Sequence, residues 1–357
     1  MLSFFLQYNE LEPIKQRVLL EEIQWGLNSP YKYYFLFLLN HEKDASAAHF
    51  WNSQSTAMKE IFEEEITMNL TSTMVTTPEE ADAKLMLALT SIDVIIEEWE
   101  SMTVKIKERA LQRREILKSD FIDLSKHISD QNRGISLKIN PAPPSGLKTI
   151  KLPEPNTAKI IEPSIAECIK KRKSHRSYST AAIPLSTLSF LLWATQGVHR
   201  ISPNQVNSIR TVPSGGARHP FETWIVIQRV EGAEPGIWKY SPFTHEIVLT
   251  KRYPDLNDLG EKLFNASLEQ LWVRTAAITF FWTCIPYRCE WRYSSGASKL
   301  ILQESGHICQ NLYLACEATG CGTVAISAYH QELSDSLLGV DGHEELTVYI
   351  APVGVRK

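Results

Sequence analysis

Arg210-Thr-Val-Pro-Ser-Gly-Gly-Ala-Arg-His-Pro-Phe-Glu-Thr-Trp224 is the stretch on which the reading of this 357-residue chain turns. Pro213 removes a backbone donor and fixes one φ angle, while Gly215 and Gly216 permit backbone angles that other residues avoid. Ser214, Arg218 and His219 add polar side chains that a plain connection does not need. Such a loop lets main chain approach a flat or anionic ligand closely. Gly-Gly alone would equally suit a tight turn before a buried strand. The fifteen residues together are far more specific than that pair.

Working outward, Thr223–Gln228 reads as a buried strand, and Ile237–Tyr240 with Glu246–Leu249 as a hairpin around Ser241-Pro242. Ala276–Thr283 is a continuous apolar run of the kind a central strand shows, and Leu346–Val353 is a last strand before a turn at Gly354. Leu188, Leu191 and Leu192 give Leu185–Thr195 an apolar helical face, and Gly197 stops that helix. A longer helix runs from about Ser298 to Thr319. Cys309 and Cys316 lie in its apolar run as small buried hydrophobes.

A short helix, Ile165–Lys171, leads into Lys171-Arg-Lys-Ser-His-Arg-Ser-Tyr178. As a bare charge run this is solvated surface. Four cations and a hydroxyl in so short a span also suit a phosphate clamp, Arg offering a bidentate fork and Ser a neutral donor.

The N-terminal 1–139 reads as a mostly helical domain, for partner or peptide recognition. Its clearest element starts at Thr77-Pro78-Glu79-Glu80, where Thr77 caps, Pro78 suits the first position and Glu80 completes a capping box. Leu85, Ala88, Ile92, Ile95, Trp99, Met102 and Ile106 then form one long helical stripe. Lys105, Lys107, Arg109, Arg113 and Arg114 alternate with Glu108 and Glu115 as a solvated face. The prolines of Asn140–Gly146 and of Leu152–Pro155 make 140–156 a linker, and the second domain, 148–357, begins near Lys148.

Composition narrows the function. With 43% hydrophobic and 22% charged residues the chain is globular, and a net charge of -4 gives no reason to expect nucleic acid as a partner. Tyr33–Leu39, the longest aromatic-aliphatic run, is too short to span a bilayer, and Met1–Tyr8 lacks the basic n-region of a secretory signal. The six cysteines include no C-x-x-C pair, so no metal is expected and a reducing cytoplasm fits.

Three motifs now stand in order: Arg172-x-Ser174-x-Arg176, the Arg210–Trp224 string, and Glu304-x-Gly306-His307-x-x-Gln310-Asn311-Leu312. Together with Leu191-Leu-Trp-Ala-x-x-Gly197, they resemble the SagB-type dehydrogenases, the branch of the FMN-dependent nitroreductase superfamily that includes the azoline oxidases. The resemblance covers about Lys148–Lys357. It implies an α+β nitroreductase-like fold, a mostly antiparallel sheet flanked by helices, behind the helical N-terminal domain. It implies FMN as cofactor, its phosphate and ribityl chain held by Arg172, Ser174 and Arg176 with Lys173 and Arg356 as further candidates. Pro213, Ser214, Gly215 and Gly216 would hold the flavin from a second subunit of a homodimer, with Glu304 and Gly306 near its reactive edge. Gly306 costs about 1 kcal/mol mid-helix relative to Ala, which close approach of a flavin ring, or of another helix, would explain.

The family's Lys-Tyr pair stands here as Arg292-Tyr293, and its Tyr-Arg before the helix motif as Ser298-Lys299. Arg stays protonated and cannot act as the base that a neutral Lys could be. The implied activity is therefore oxidation of azoline rings in a ribosomally made peptide, with Tyr293 as base and Arg292 as fixed cation. A cyclodehydratase is the implied partner. An NAD(P)H-dependent nitro or quinone reductase, acting on small molecules, is the alternative within the fold. A catalytically idle flavin-binding scaffold is the alternative outside enzymology.

Overall fold

The computed structural model describes residues 7–8, 10–26, 78–118, 121–124, 127–137, 146–203 and 207–357. Thr77, Tyr33–Leu39 and most of the Asn140–Gly146 linker lie outside the described residues. Contacts divide the chain into two units, Met1–Glu115 and Ile116–Lys357.

In the first unit, α1 (Pro13–Gly26), α2 (Pro78–Thr90) and α3 (Ile92–Arg113) bury Leu19, Leu85, Leu89 and Ile92 against one another. The single long stripe expected from Leu85 to Ile106 is broken at Ser91, where two helices meet. Only its first part is core: Leu85 and Ile92 are buried, whereas Met102 and Ile106 are more than half exposed. Periodicity marks a helix face without saying that anything covers it.

The second unit opens with α4 (Phe121–Leu124) and continues through β1 (Thr149–Lys151), α5 (Ile165–Lys171) and α6 (Leu185–Gln196). A small antiparallel pair, β2 (Val198–Ile201) and β3 (Ser208–Arg210), precedes the signature loop. Then come β4 (Phe221–Ile227), β5 (Gly236–Ser241), β6 (Glu246–Arg252), α7 (Leu256–Ala266), α8 (Trp272–Thr275) and β7 (Ile278–Cys284). The chain ends with α9 (Tyr287–Tyr293), α10 (Ala297–Thr319), β8 (Cys321–Thr323), α11 (Gln331–Leu338) and β9 (Leu346–Val355).

Seven strands form one sheet, ordered β1-β6-β5-β4-β7-β9-β8, with every named pair antiparallel. This is the expected mixed helix and antiparallel-sheet fold. Alternate residues of the central strands sort its two faces. Phe221, Ile225, Phe280, Trp282 and Ala351 face α6 and α10, whereas Trp224, Val226, Phe281 and Ile350 face α7, α8 and α11. Both faces are covered, which is why β7 reads as a continuous apolar run and all seven of its residues are buried.

The turn expected at Gly354 is instead strand, because β9 continues to Val355 to pair with β8. A Cβ at Gly354 would lie 2.6 Å from the Tyr178 side chain. That glycine serves close packing rather than a reversal. All six cysteines are buried and free.

Candidate functional site

Helix α10 carries the site. Leu300, Glu304 and Asn311 project from one side of it, at spacings of four and seven residues. Asn311 donates its side-chain amide to the carbonyl oxygens of Ala194, at 2.8 Å, and Thr211, at 3.4 Å. It thereby ties α10 to the end of α6 and to the start of the signature loop.

Glu304 is 4% exposed, and its Oε1 accepts the Gly215 backbone N–H at 2.7 Å. The Ser214 hydroxyl adds a second hydrogen bond to the carboxyl. Burial pushes the Glu304 pKa up to about 6, since desolvation penalises the charged form; these two bonds and the Arg210 charge offset part of the rise.

Ser214 Oγ also accepts the His219 N–H at 2.8 Å, closing the loop on itself. Gly216 holds φ +57°, in the left-handed region, and a Cβ there would meet Tyr293 Oη at 2.6 Å and Arg292 Cδ at 2.9 Å. The loop therefore needs glycine twice over at Gly216, for backbone angle and for space. It also brings the Arg292–Tyr293 pair against the Gly215–Glu304 contact.

Underneath, His219 Nε2 lies 2.9 Å from the Ser208 carbonyl. Burial and the nearby Arg210 hold its pKa down to about 3. It is a neutral pin, not a proton carrier at ordinary pH. Arg210 is 8% exposed and donates to Gln196 Oε1 at 3.0 Å and to Ser208 Oγ at 3.3 Å. Burial lowers its pKa to about 10, so it remains a fixed cation beneath the loop. Arg218 donates to the Gly216 carbonyl at 3.0 Å and lies 5.0 Å from the Trp291 ring centre.

The second cluster sits where α5 ends. Ser174 Oγ is 3.0 Å from Tyr313 Oη, and the Arg172 guanidinium lies 5.2 Å from the same ring centre. Arg176 is exposed, 5.5 Å from the Trp272 ring centre, and Lys173 is exposed. Lys170 and Lys171, the last two residues of α5, pair with Glu167 and Glu162. By contrast, Arg172, Lys173 and Arg176 have no carboxylate partner among the described residues. Arg356 is differently placed: its Nη1 pairs with the buried Glu317 at 2.6 Å. Glu317 also lies 3.4 Å from His175 Nε2, so this network braces the loop that carries the three cations.

The expected site residues thus fall into two groups. Pro213, Ser214, Gly215, Gly216, Arg292, Tyr293 and Glu304 come together; Arg172, Lys173, Ser174 and Arg176 form the other. Glu304 and Tyr313, the anchors of the two groups on α10, are nine residues apart, about 14 Å along the axis and half a revolution around it. They lie on opposite sides of the helix. Between them Gln303, Gly306, His307 and Gln310 form an exposed face, and nothing lies within 4 Å of a Cβ built on Gly306. No other helix among the described residues supplies the reason for that glycine.

Sequence reasoning missed Tyr313, Trp272 and Arg210, whose polar or aromatic groups look inert until the chain is folded. It also did not single out Gln131 and Ile135, whose backbone bonds to Trp291. Among the described residues, no helix is long and apolar enough to cross a membrane, and no cluster of His, Cys, Asp and Glu could hold a metal ion.

The nitroreductase family model matches residues 169–355. A candidate nitroreductase of Methanocaldococcus jannaschii is 31% identical over 205 residues, 57% of this chain and 95% of that protein. The trifolitoxin-processing protein TfxB of Rhizobium leguminosarum is 28% identical over 135 residues, covering 37% of this chain and 36% of its own length. Among solved structures, a candidate nitroreductase of Anabaena variabilis superposes with a TM-score of 0.50 at 21% identity, over 60% of this chain and 42% of that one. That likeness is one of fold. With the family model covering more than half of the sequence and the archaeal relative aligned along nearly its whole length, the chain belongs to the nitroreductase family.

Proposed function

We propose that this protein is an FMN-dependent dehydrogenase of the SagB type, oxidising azoline rings of a ribosomally made peptide. The observation that carries the cofactor assignment is the contrast on α5. Lysines within the helix are paired, whereas Arg172, Lys173 and Arg176 beyond its end have no carboxylate partner among the described residues. Three such cations around the Ser174 hydroxyl fit the phosphate of FMN, with Arg172 and Arg176 as its forks. The Ser214–Gly216 loop and Glu304 fit the flavin ring, and the bound isoalloxazine would supply two-electron redox chemistry.

The two groups lie on opposite sides of α10, an arrangement that suits one cofactor served by the cations of one subunit and the glycine loop of another. This supports a homodimer whose interface includes Gly306 and His307. The peptide substrate is supported by the sequence motifs and by the partial similarity to a protein that processes trifolitoxin. A cyclodehydratase would supply the azoline.

In this reading Tyr293, acting as its phenolate, takes a proton from the substrate and becomes the neutral phenol. Arg292, exposed and 5.4 Å from the Tyr293 ring centre, stabilises the negative charge that develops. The test separates cofactor from chemistry. Tyr293→Phe should keep FMN and lose about 10²–10⁴-fold in substrate oxidation. Arg172→Ala with Arg176→Ala should release FMN, each lost contact costing about 1.5–3 kcal/mol. Full oxidation rates in Tyr293→Phe would remove the base assignment, and unchanged FMN affinity in the double variant would remove the clamp.

A further inference from the structure

The described residues between Leu117 and Ile135 (117–118, 121–124 and 127–135) lie as a strap across α9 and are fixed at four points. Lys299 Nζ donates to the Leu117 carbonyl at 2.8 Å, and the Gln131 N–H donates to the Trp291 carbonyl at 3.0 Å. The Trp291 indole N–H donates to the Ile135 carbonyl at 2.8 Å, and Tyr287 Oη donates to Asp130 Oδ2 at 2.9 Å. Phe121 meets Tyr293 edge-on, ring centres 6.0 Å apart. Between strap and helix is a cleft of about 230 Å³.

Its polar lining is one-sided. His127, Ser129 and Asn132 come from the strap, with Arg292, Tyr293 and Ser294 opposite. Every one of these can donate a hydrogen bond, and none is a carboxylate. Ser129 is 7% exposed and its Oγ accepts the Asn132 N–H at 3.3 Å, which leaves its own hydroxyl proton to donate. Asp130, next to Ser129 in sequence, does not line the cleft and is engaged by Tyr287. Arg292 has no carboxylate partner among the described residues, and it stacks only on Tyr293. Ser294 holds φ 44°, ψ −125°, a strained conformation that non-glycine residues keep only where their surroundings force it, often at ligand sites.

A cleft without a carboxylate, in which every polar lining residue can donate to a ligand beside a guanidinium unpaired among the described residues, favours an anion. Its planar fork matches a carboxylate, which accepts two parallel bonds. A cleft of about 230 Å³ has room for one amino-acid side chain with its carboxylate. We propose that the cleft is a substrate-recognition subsite, in which Arg292 with His127, Ser129 and Asn132 grips a single carboxylate of the peptide substrate. That grip positions the neighbouring ring beside Tyr293. The inference rests on the reading of Tyr293 as the reacting edge of the site; it assigns substrate specificity to His127, Ser129 and Asn132, and it gives the Arg292 fork to the substrate carboxylate in place of charge developing at the ring.

The test uses the full chain as purified and small probes of one residue's size. Calorimetry compares hippurate, which carries a terminal carboxylate, with its neutral amide, and with N-acetylaspartate α-amide, which carries the carboxylate on a side chain. At least one carboxylate should bind about tenfold or more tightly than the neutral amide, and which one does so tells a chain terminus from an acidic side chain. Arg292→Gln should erase the preference, and Asn132→Ala, on the strap and outside the reacting pair, should reduce it severalfold with an unchanged melting temperature. Equal binding of acid and amide, no binding of either carboxylate, or a preference that survives Arg292→Gln would overturn the proposal. Carboxylate preference in a protein that oxidises no azoline would count against the azoline reading and leave the subsite standing.

Discussion

Replacing Glu304 by glutamine should make the protein more stable at neutral pH, and the size of the gain follows from the geometry. The carboxyl is 4% exposed, and its pKa is raised from the ordinary 4.5 to about 6 chiefly by desolvation. At 1.36 kcal/mol per pH unit, that rise means the ionised group costs the native state about 2 kcal/mol at pH 7. The sign runs one way: below pH 4.5 the acid is protonated in both states and imposes no charge penalty. As pH rises through about 6, the native state binds more protons than the unfolded chain and then loses them, so stability falls. The glutamine amide would keep an oxygen to accept the Gly215 N–H, now at 2.7 Å, while carrying no charge. The variant should therefore match the wild type near pH 4.5 and exceed it by about 2 kcal/mol at pH 7, roughly 4–8 °C in Tm for a unit of this size. Urea unfolding of both proteins across pH 4.5–7.5 measures the difference directly. A difference that does not change with pH, or a glutamine variant less stable at pH 7, would refute the claim that Glu304 sits ionised against its own burial.

Gly216→Ala should lose about 2 kcal/mol or more, because φ +57° and a contact of 2.6 Å with Tyr293 Oη both oppose a Cβ. Gly215→Ala should cost less in the same melting experiment, since its nearest obstacle is a Leu300 methyl at 3.1 Å that can turn aside. Arg356→Met should destabilise the protein by about 3 kcal/mol even without FMN, by stranding the buried Glu317. If Arg356 instead served only as a phosphate contact, the variant would bind FMN more weakly with unchanged stability in its absence. Light scattering should give twice the 40.6 kDa of one chain, and a single-chain mass with flavin bound would end the two-subunit site.

The sheet and the long helix were legible because their signals are local. Ala276–Thr283 could be read as a buried strand from apolarity alone, and it forms β7 over Ile278–Cys284. Ile165–Lys171 matches its helix end to end, with Ser164 accepting the Glu167 N–H as N-cap. β8 and the β2–β3 pair were not legible. They are three or four residues long, and their edges are set by what they pair with rather than by their own pattern. The break at Ser91 was hidden for a related reason: apolar residues continue past it at helical spacing, although the core they would serve ends there.

The site shows the same division between what a motif can and cannot say. Gly216 stands in the sequence as a permissive residue, yet only the fold reveals that the space it leaves is taken by Tyr293, seventy-seven positions later. Arg356 reads as a spare cation near a chain end, and the fold commits it to Glu317. Gly306 is the opposite case. The sequence demanded a reason for glycine in mid-helix, and none exists among the described residues, since the position opens to solvent beside Gln303 and His307. A residue that costs about 1 kcal/mol and meets no described neighbour of its own chain is best accounted for by what approaches from outside. The opposed faces of α10 favour the same proposal: Glu304 and Tyr313 stand half a revolution apart, so a second subunit is proposed to bring the glycine loop and the cations together.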